Sequence, residues 1–476
     1  MREIRISAYI PTKGNNISMG TSKDRLRKLD KRFIWHPYTQ MKDFETRDLL
    51  FVDRAEGVFL YDIDGRRYYD TISSWWCNVH GHNHPVIMSR IARQLERLDQ
   101  VHFAGTTHEG PVVLAERLYR YLPPRLENFF FSDNGSTACE VAIKMSLQYW
   151  RQIGDVKREK FIALERGYHG DTIGTMSLGG VPAFEGPFDP LVFESFTIPA
   201  PYCYRCPCDQ ENYSPGQGSS CNLECTEFLH RLLEREGENV AALILEPMLM
   251  GAGGMISYPK GYLQRVHALC ERFGLHLIFD EVATGFGRTG KMFAMEHPGV
   301  VPDFICLSKG ITGGTLPLAV TVTTKEIFEA FYADYNEGKT FFHGHTFTAN
   351  PICCAAALGS LDVFEAEKVL EGLPAKVSRL QEGKMDFLDI PIVGDVRGIG
   401  MVAAFELVRD KEARSAFAPG ERVGWQVYLR GLEKGLILRP LSDVIYLFLP
   451  LAVTLEQLDE ILDLTAETLH DISSVL

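Results

Sequence analysis

The sequence predicts an α/β fold, with a large domain on a mostly parallel central sheet and a smaller α+β domain. Three observations predict this fold class. Between about residues 85 and 325, short apolar runs alternate with segments of helical periodicity. After about residue 366, strand-like runs are followed by one long helical pattern. The 476 residues are 45% hydrophobic and 23% charged, which is an ordinary globular composition.

The strands of the large domain are predicted from short apolar runs that turn residues bound, a pattern typical of parallel strands buried on both faces. These runs are 128–133, 161–165, 241–247, 275–281 and 303–309. Two helices are predicted between them. Residues 136–152 carry apolar side chains at helical spacing, and the pattern in 261–274 ends at Gly274, which suits a helix C-terminus.

The small domain is predicted from the C-terminal pattern. Antiparallel strands are expected within 394–408 and 435–450, and a helix within 454–472. The predicted organisation is an N-terminal tail (1–30), a segment joining the small domain (31–80), a large domain that would bind the cofactor inferred below (81–365) and a small domain (366–476).

Composition excludes several classes of function. The net charge of −13 disfavours binding to nucleic acid. No apolar stretch reaches the roughly 18 residues of a membrane-spanning helix, and the N-terminus lacks the apolar core of a secretory signal. Six of the 11 cysteines are scattered or lie in apolar runs, as in reduced proteins. We therefore expect a cytoplasmic protein without membrane or nucleic-acid partners.

Chemically suited side chains stand at the predicted strand ends, where open α/β sheets bind ligands. Asp280 ends one strand, and Lys309 ends the next, 29 residues later. One crossover between neighbouring strands has about that length, so both groups could face one pocket. Gly135 and Ser136 open a helix, where free amides bind phosphate, although a serine there could also be a plain N-cap. A lysine for a Schiff base, an acid for a pyridinium nitrogen and a phosphate site together predict pyridoxal 5'-phosphate (PLP).

A competing interpretation comes from the glycines after Asp280. Gly285, Gly287 and Gly290 have the spacing G-x-G-x-x-G, which is found in dinucleotide-binding turns. That spacing would indicate an NAD or flavin oxidoreductase. However, in the dinucleotide motif the first glycine follows the strand directly and the third opens a helix. Here Asp280 and Glu281 intervene, and no helix-start signal follows, so we expect a loop near the substrate channel with Arg288 at its tip.

The sequence resembles the class III PLP-dependent aminotransferases, which have fold type I. The segments that carry the resemblance are 134–150, 165–178, 242–259, 277–297, 303–324 and 341–361. Within the class, one subgroup, the aminotransferases of biotin synthesis, is most similar. Its more specific matches are 32–41 ("RFIWHPYTQM"), 71–85 ("TISSWWCNVHGHNHP"), 143–150 and 439–450. The resemblance covers nearly everything except the N-terminal tail and residues 200–240.

The resemblance implies a role for each matching residue. Lys309 would form the Schiff base with PLP and would move the proton on the substrate carbon. Asp280 would keep the pyridine nitrogen protonated, and Tyr168 would lie against the ring. Gly135 and Ser136 would hold the phosphate.

Further cofactor contacts are implied for three residues. His345 and Thr346 would contact the cofactor, and Thr346 would reach the phosphate of the neighbouring subunit. The protein would then be a homodimer with active sites at the subunit interface. Glu246 would lie beside the phenolic oxygen of the cofactor or in the substrate channel.

The implied substrate, 8-amino-7-oxononanoate, has a carboxylate at the end of a long apolar chain. Arg439 is the candidate cation, because guanidinium binds carboxylate through two hydrogen bonds. Tyr38, Trp75 and Tyr168 are the candidate walls of the channel. For Trp75, core packing is the alternative, since large aromatic side chains are usually buried.

The amino donor stays open at this point. S-adenosylmethionine is expected from the subgroup, and Arg288, Asp171 and Gly344 are further candidate substrate contacts. Between Gly344 and Thr346, this chain has His345 where adenosylmethionine-using members have proline. That departure leaves lysine as an alternative donor, and an ω-amino acid or diamine aminotransferase as an alternative enzyme.

Five cysteines cluster in "PYCYRCPCDQENYSPGQGSSCNLEC", and their spacing raises the question of a metal site. The cluster consists of Cys203, Cys206, Cys208, Cys221 and Cys225. Related aminotransferases carry part of this motif without a known metal. We therefore expect a loop of reduced thiols and no metal.

Overall fold

The computed structural model describes residues 23–47, 49–181, 186–208, 213–216 and 218–476. The chain divides into two compact units. One comprises residues 1–54 and 61–67, and the other comprises residues 55–60 and 68–476. Within the described residues of the first unit, the helix Lys23–Phe33 covers the last residues of the predicted N-terminal tail. Residues 1–22 of that tail lie outside the described residues.

The strands are numbered in chain order. They are β1 (Val52–Glu56), β2 (Phe59–Asp62), β3 (Arg67–Tyr69), β4 (Leu126–Ser132), β5 (Lys160–Leu164), β6 (Phe196–Ile198), β7 (Tyr213–Ser214), β8 (Gly218–Ser219), β9 (Val240–Leu245), β10 (Leu249–Met250), β11 (Ile256–Ser257), β12 (His276–Asp280), β13 (Phe304–Leu307), β14 (Ala319–Thr324), β15 (Val393–Arg397), β16 (Val402–Leu407) and β17 (Val444–Phe448).

The α-helices are numbered in the same way. They are α1 (Lys23–Phe33), α2 (Ser73–Trp76), α3 (Pro85–Leu95), α4 (Glu109–Tyr119), α5 (Gly135–Gln152), α6 (Ile173–Met176), α7 (Thr226–Glu236), α8 (Lys260–Phe273), α9 (Lys325–Glu329), α10 (Pro351–Ala366), α11 (Val369–Gly383), α12 (Val423–Glu433) and α13 (Leu455–Ser473). Short 3-10 helices cover Met41–Glu45, Gly186–Leu191, Cys203–Arg205, Gly237–Asn239, Ala294–Glu296, Lys309–Thr312, Tyr335–Glu337, Lys384–Asp389 and Pro419–Glu421.

The large sheet has seven strands in the order β4-β14-β13-β12-β9-β5-β6. Only β14 runs antiparallel to its two neighbours, so the predicted mostly parallel sheet is confirmed. The five predicted strands are present, each ending within two residues of the predicted bounds. Strands β9, β12 and β13 are buried along their whole length, as expected for parallel strands covered on both faces.

The predicted helices α5 and α8 are also present. Helix α8 ends at Gly274, which takes a left-handed conformation (φ 64°) that glycine adopts without a steric penalty. Helix α5 begins directly after β4 and packs on β13 and β14. This strand–turn–helix unit brings the start of α5 to the edge of the sheet where β12 and β13 end.

The small sheet, β15-β16-β17, is antiparallel, and helix α13 follows it, as predicted. The segment from Tyr68 to His80 is tied to this part of the chain. Tyr69 N donates to Gly435 O at 2.8 Å, and Phe448 N donates to Thr71 O at 2.7 Å. The domain boundaries themselves stay predictions. No helix among the described residues is both long and apolar enough to cross a membrane.

Candidate active site

A cavity of about 700 Å³ lies at the carboxyl ends of the large-sheet strands. Its lining includes seven residues that were predicted from the sequence: Gly135, Ser136, Tyr168, Asp171, Glu246, Asp280 and Lys309. The separation of Asp280 and Lys309 by one crossover is explained by β12 and β13, which are adjacent and parallel. The sheet topology therefore brings the predicted acid, lysine and helix start to one cavity.

The start of α5 offers a site for an anion. Asn134 is the N-cap, because its side chain accepts a hydrogen bond from Thr137 N at 3.0 Å, so the alternative of Ser136 as N-cap is wrong. The amides of Gly135 and Ser136 have no acceptor within the helix. A Cβ on Gly135 would lie 2.6 Å from Val282 Cγ1, so only glycine fits there. The helix dipole and these amides together favour an anion such as phosphate.

Lys309 follows β13 and has a left-handed backbone (φ 47°), an uncommon conformation that is found at functional sites. Burial lowers the pKa of its amine, although the carboxylates of Asp280 and Glu246 oppose this shift. Its Nζ lies 4.8 Å from the ring centroid of Trp76. A lysine with a lowered pKa has a larger fraction of neutral, nucleophilic amine, as Schiff-base chemistry requires.

Asp280 is buried at the end of β12. Its Oδ1 accepts a hydrogen bond from Val282 N at 3.0 Å, and its Oδ2 lies 2.8 Å from His169 Nδ1. An ionised carboxylate has about four acceptor positions. These two contacts therefore leave capacity for a further donor from the cavity, such as a protonated ring nitrogen.

Glu246 is a second buried acid of the cavity, at the end of β9. It accepts hydrogen bonds from Gly251 N at 2.8 Å and from Tyr168 N at 3.2 Å. Burial raises its pKa to about 7. The hydroxyl of Tyr168 donates to Asp171 Oδ2 at 3.0 Å, so two predicted site residues contact each other.

The two tryptophans of the "SSWW" segment face different surroundings. Trp76 is buried and lines the cavity, whereas Trp75 is 37% exposed. The Arg439 guanidinium carbon lies 4.5 Å from the Trp75 ring centroid, so the predicted carboxylate-binding cation and channel wall lie together. The turn is left-handed, because φ is 51° at Ser73, 48° at Ser74, 81° at Trp75 and 72° at Trp76.

Arg288 does not lie at the tip of an exposed loop. It is 2% exposed, and its guanidinium donates hydrogen bonds to Leu449 O and, at 3.0 Å, to Asn78 O. Its guanidinium carbon lies 4.3 Å from the Phe448 ring centroid, and burial lowers its pKa to about 9. Arg288 is absent from the cavity lining, so the structure does not bring it to the other site residues.

Six further predicted residues lie outside the cavity lining, namely Trp75 and Arg439, which were described above, and four others. Gly344 and Thr346 are exposed, and His345 is half-buried with its Nε2 3.9 Å from Asp133 Oδ1. Asp133 does line the cavity, so His345 borders the site. Tyr38 belongs to the other compact unit and is 44% exposed. The roles predicted for these residues stay predictions.

The glycine motif does not form a dinucleotide-binding turn. Residues 282–289 form turns, and the next helix is the short 3-10 helix at Ala294–Glu296. Gly287 and Gly290 have positive φ (84° and 93°), and a Cβ on Gly287 would lie 2.5 Å from Leu451 Cδ1. These glycines therefore serve tight turns and close packing, and no helix N-terminus for a pyrophosphate follows them.

The five clustered cysteines lie outside the cavity lining. Burial, reinforced by neighbouring thiols, raises the pKa of Cys203 and of Cys225 to about 12. Among the described residues, a different trio, Cys139, His169 and Asp280, has side-chain atoms close enough to share a metal ion. A hydrogen bond with Cys306, together with burial, raises the Cys139 pKa well above its ordinary value, which disfavours the thiolate that a metal needs.

Several cavity residues were not on the predicted site list. They include Trp76, Cys77, His169 and Thr172. A sequence signal existed for His169, which stands inside the motif "GYHGD". Cys77 and Thr172 carried no such signal.

The residues present fit PLP. The start of α5 suits the phosphate, Asp280 has acceptor capacity for a ring nitrogen, and Lys309 has a desolvated amine. Ser136 Oγ already contacts Thr172 Oγ1 at 3.1 Å and Thr175 Oγ1 at 3.0 Å, which fixes its hydroxyl at the helix start. The fit depends on these groups of one cavity and on no residue outside it.

Comparisons with known proteins point to the same chemistry. The family model of class-III aminotransferases matches residues 41–469. The chain is 46% identical over 448 residues to adenosylmethionine-8-amino-7-oxononanoate aminotransferase of Geobacter sulfurreducens, covering 94% of this chain and 98% of that protein. The crystal structure of the Methanocaldococcus jannaschii enzyme of the same name superposes with a TM-score of 0.88 at 39% identity, covering 94% and 99% of the two chains. An ω-transaminase from Pseudomonas jessenii, in complex with PMP, superposes with a TM-score of 0.88 at 30% identity, covering 94% and 98%.

Proposed function

The chain belongs to the class-III aminotransferases, which depend on PLP, and from that premise we propose that it aminates 8-amino-7-oxononanoate to 7,8-diaminononanoate in biotin biosynthesis. S-adenosylmethionine is the proposed amino donor. One observation carries the proposal: Lys309 and Asp280 end adjacent parallel strands and face one cavity together with the glycine start of α5. Relatives at 40% identity or more over nearly the whole chain bear the name of this reaction, which supports the choice of substrate.

The proposed roles follow from the contacts of each residue. Gly135 and Ser136 hold the phosphate, Asp280 holds the ring nitrogen, and Tyr168 lies beside the ring. When bound, PLP supplies a ring that withdraws electrons from the substrate carbon. Lys309 would hold the cofactor, and its free amine would act as the general base and acid that moves the proton at the substrate carbon.

The keto substrate binds through its carboxylate at Arg439. The guanidinium lies over Trp75, whose indole offers an apolar surface to the alkyl chain beside the charge. Asp171, which accepts from Tyr168, is the proposed contact for the amino group of the donor. Trp76, which is buried beside Lys309, excludes water from this part of the pocket.

The proposed assembly is a homodimer, and the proposed compartment is the cytoplasm. Support for the dimer comes from exposed aromatic side chains in the chain segment 335–347, which contains Thr346. Phe342 is 80% exposed, Phe347 58% and Tyr335 91%, which is unusual for aromatic side chains of a monomer. A partner that covers this surface would bring Thr346 to the phosphate site of the other subunit.

The test is a donor assay with purified holoenzyme. 8-Amino-7-oxononanoate is supplied with S-adenosylmethionine, with lysine, or with an ω-amine, and 7,8-diaminononanoate is measured by mass spectrometry. We expect product with S-adenosylmethionine and none from Lys309→Ala. If product forms with lysine but not with S-adenosylmethionine, lysine is the amino donor. If the enzyme acts only between ω-amines and pyruvate, 8-amino-7-oxononanoate is not its substrate.

One observation keeps a second donor in view. His345 borders the cavity, and adenosylmethionine-using members have proline at this position. Its Nε2 faces Asp133. Lysine carries a second amine that a neighbouring carboxylate would bind. The same reaction with lysine is therefore the second candidate, and the lysine arm of the assay decides it.

A further inference from the structure

Asp70 is a buried acid behind the left-handed turn Ser73–Trp76, and it is 2% exposed. Its Oδ1 accepts a hydrogen bond from Ser74 N at 2.8 Å, and its Oδ2 accepts one from Ser74 Oγ at 2.7 Å. His82 Nε2 lies 2.9 Å from the same Oδ2. One carboxylate therefore holds both the backbone and the side chain of Ser74.

The turn needs such support. In a left-handed conformation the Cβ of an L-residue crowds the following carbonyl oxygen, so consecutive non-glycine residues rarely adopt it. Such a conformation persists only where the surroundings impose it. The two ends of the turn are held by Ser73 Oγ, which donates to Phe448 O at 2.6 Å, and by Trp76 Nε1, which donates to Tyr446 Oη at 3.1 Å. Asp70 holds the middle.

The conformation of the turn decides where the two indoles go. Trp76 packs beside Lys309 and lines the cavity, whereas Trp75 lies against Arg439. A right-handed turn over the same residues would rotate both side chains away from these positions. The geometry of the proposed carboxylate-binding pair thus depends on a backbone that is unfavourable in isolation.

We propose that Asp70 is a positioning residue of this enzyme, which acts through the Ser73–Trp76 turn to hold Trp75 under Arg439 and Trp76 beside Lys309. Asp70 is not among the residues that line the cavity, so it acts on the substrate only through the turn. The inference rests on the proposed function in one respect, the binding of the substrate carboxylate at Arg439.

The experiment compares Asp70→Asn with a matched control, Asp463→Asn, which changes an exposed acid on helix α13. In Asp70→Asn the charge is lost, and the amide offers one acceptor where the carboxylate had two. We expect KM for 8-amino-7-oxononanoate to rise about tenfold, the effect of one lost charge-assisted hydrogen bond, with kcat changed less than about threefold. Ser74→Ala removes only the hydroxyl contact and should give a smaller rise in KM, which keeps the test available if Asp70→Asn folds poorly.

A double-mutant cycle separates positioning from a general structural role. If Asp70 acts through the turn, Asp70→Asn should raise KM by less than about threefold in a Trp75→Ala background. An equal rise in both backgrounds, or an unchanged KM in Asp70→Asn, would overturn the proposal.

A second readout does not need the substrate. The near-UV circular dichroism of the holoenzyme reports the surroundings of the indoles, so it should change in Asp70→Asn and Ser74→Ala but not in Asp463→Asn. An unchanged spectrum in both turn variants would overturn the positioning role. Absence of 7,8-diaminononanoate from the wild-type assay would instead contradict the proposed function, and the spectra would still decide the role of Asp70.

Discussion

Asp280 and Glu281 are adjacent acids with different surroundings, because successive residues at a strand end point to opposite sides. Asp280 faces the cavity. Glu281 is fully buried and accepts hydrogen bonds from Ala294 N at 2.7 Å and from Met295 N at 2.8 Å. The first acid is placed for chemistry, and the second holds the loop that follows.

Replacement of Asp280 by asparagine should slow the half-reaction with the amino donor by at least about 100-fold, which corresponds to a pKa change of two units at the ring nitrogen. The reason is the loss of the anionic partner in the cavity. Stopped-flow absorbance of the cofactor measures this rate. Glu281→Gln is the matched control, because Glu281 does not line the cavity, and it should leave the rate near that of the wild type. A fully active Asp280→Asn enzyme would contradict the assignment.

The raised pKa of Glu246 predicts how the stability of the protein depends on pH. Its pKa is about 7 in the folded protein because of burial, above the ordinary value of 4.5. Between these values the unfolded chain has released the proton while the folded chain keeps it, so stability falls as pH rises through this window and stays low above it. Below pH 4.5 the carboxyl is neutral in both states and has no effect.

Glu246→Gln should therefore stabilise the cofactor-free protein at pH 8 relative to the wild type, by on the order of 3 kcal/mol at most, and much less at pH 4.5. Melting temperatures across pH 4.5–8 measure the difference. The Glu246→Gln variant should still lose some stability as the pH rises, because burial also raises the pKa of Glu281, to about 8. If the melting temperatures of variant and wild type change with pH in parallel, Glu246 does not keep its proton in the folded protein.

At the scale of elements, the apolar runs predicted the buried parallel strands well, because burial on both faces leaves a continuous signal in the sequence. Strand β14 was missed, since "AVTVTT" alternates with threonine and lies inside a motif noted only for its resemblance. Trp75 was predicted as a wall of the substrate channel, but Trp76 is the tryptophan that lines the cavity. No local rule predicts four consecutive left-handed residues, so the direction of these two side chains could not be read from sequence.

Arg288 ties two elements that lie far apart in the chain. Its hydrogen bonds to Asn78 O and Leu449 O join the segment after the Ser73–Trp76 turn to the end of β17. Arg288 was a candidate substrate contact because it stands in the glycine run near the predicted substrate channel. Its burial by segments that are distant in the chain could not be predicted from the local sequence.

Arg288→Ala should therefore lower stability by about 2–3 kcal/mol, since it removes charged hydrogen bonds to two buried carbonyls. Differential scanning calorimetry of the holoenzyme measures this loss. Arg231→Ala, at an exposed position of α7, serves as the control and should change stability little. A normal melting temperature combined with a raised KM would instead indicate that Arg288 contacts the substrate.

For the whole molecule, the proposed dimer makes each active site dependent on two chains, with Lys309 from one and Thr346 from the other. Subunits that carry Lys309→Ala lack the amine, and subunits that carry Thr346→Glu put a carboxylate against the phosphate. Each variant alone should be inactive.

In a mixed dimer, one site combines the intact Lys309 of one subunit with the intact Thr346 of the other. Activity should therefore return on co-expression, to roughly a quarter of the wild-type value if the subunits pair at random. Differently tagged subunits, purified in tandem, provide the mixed dimer for assay. Its inactivity, with both parent variants shown to be dimers, would mean that Thr346 serves the site of its own chain.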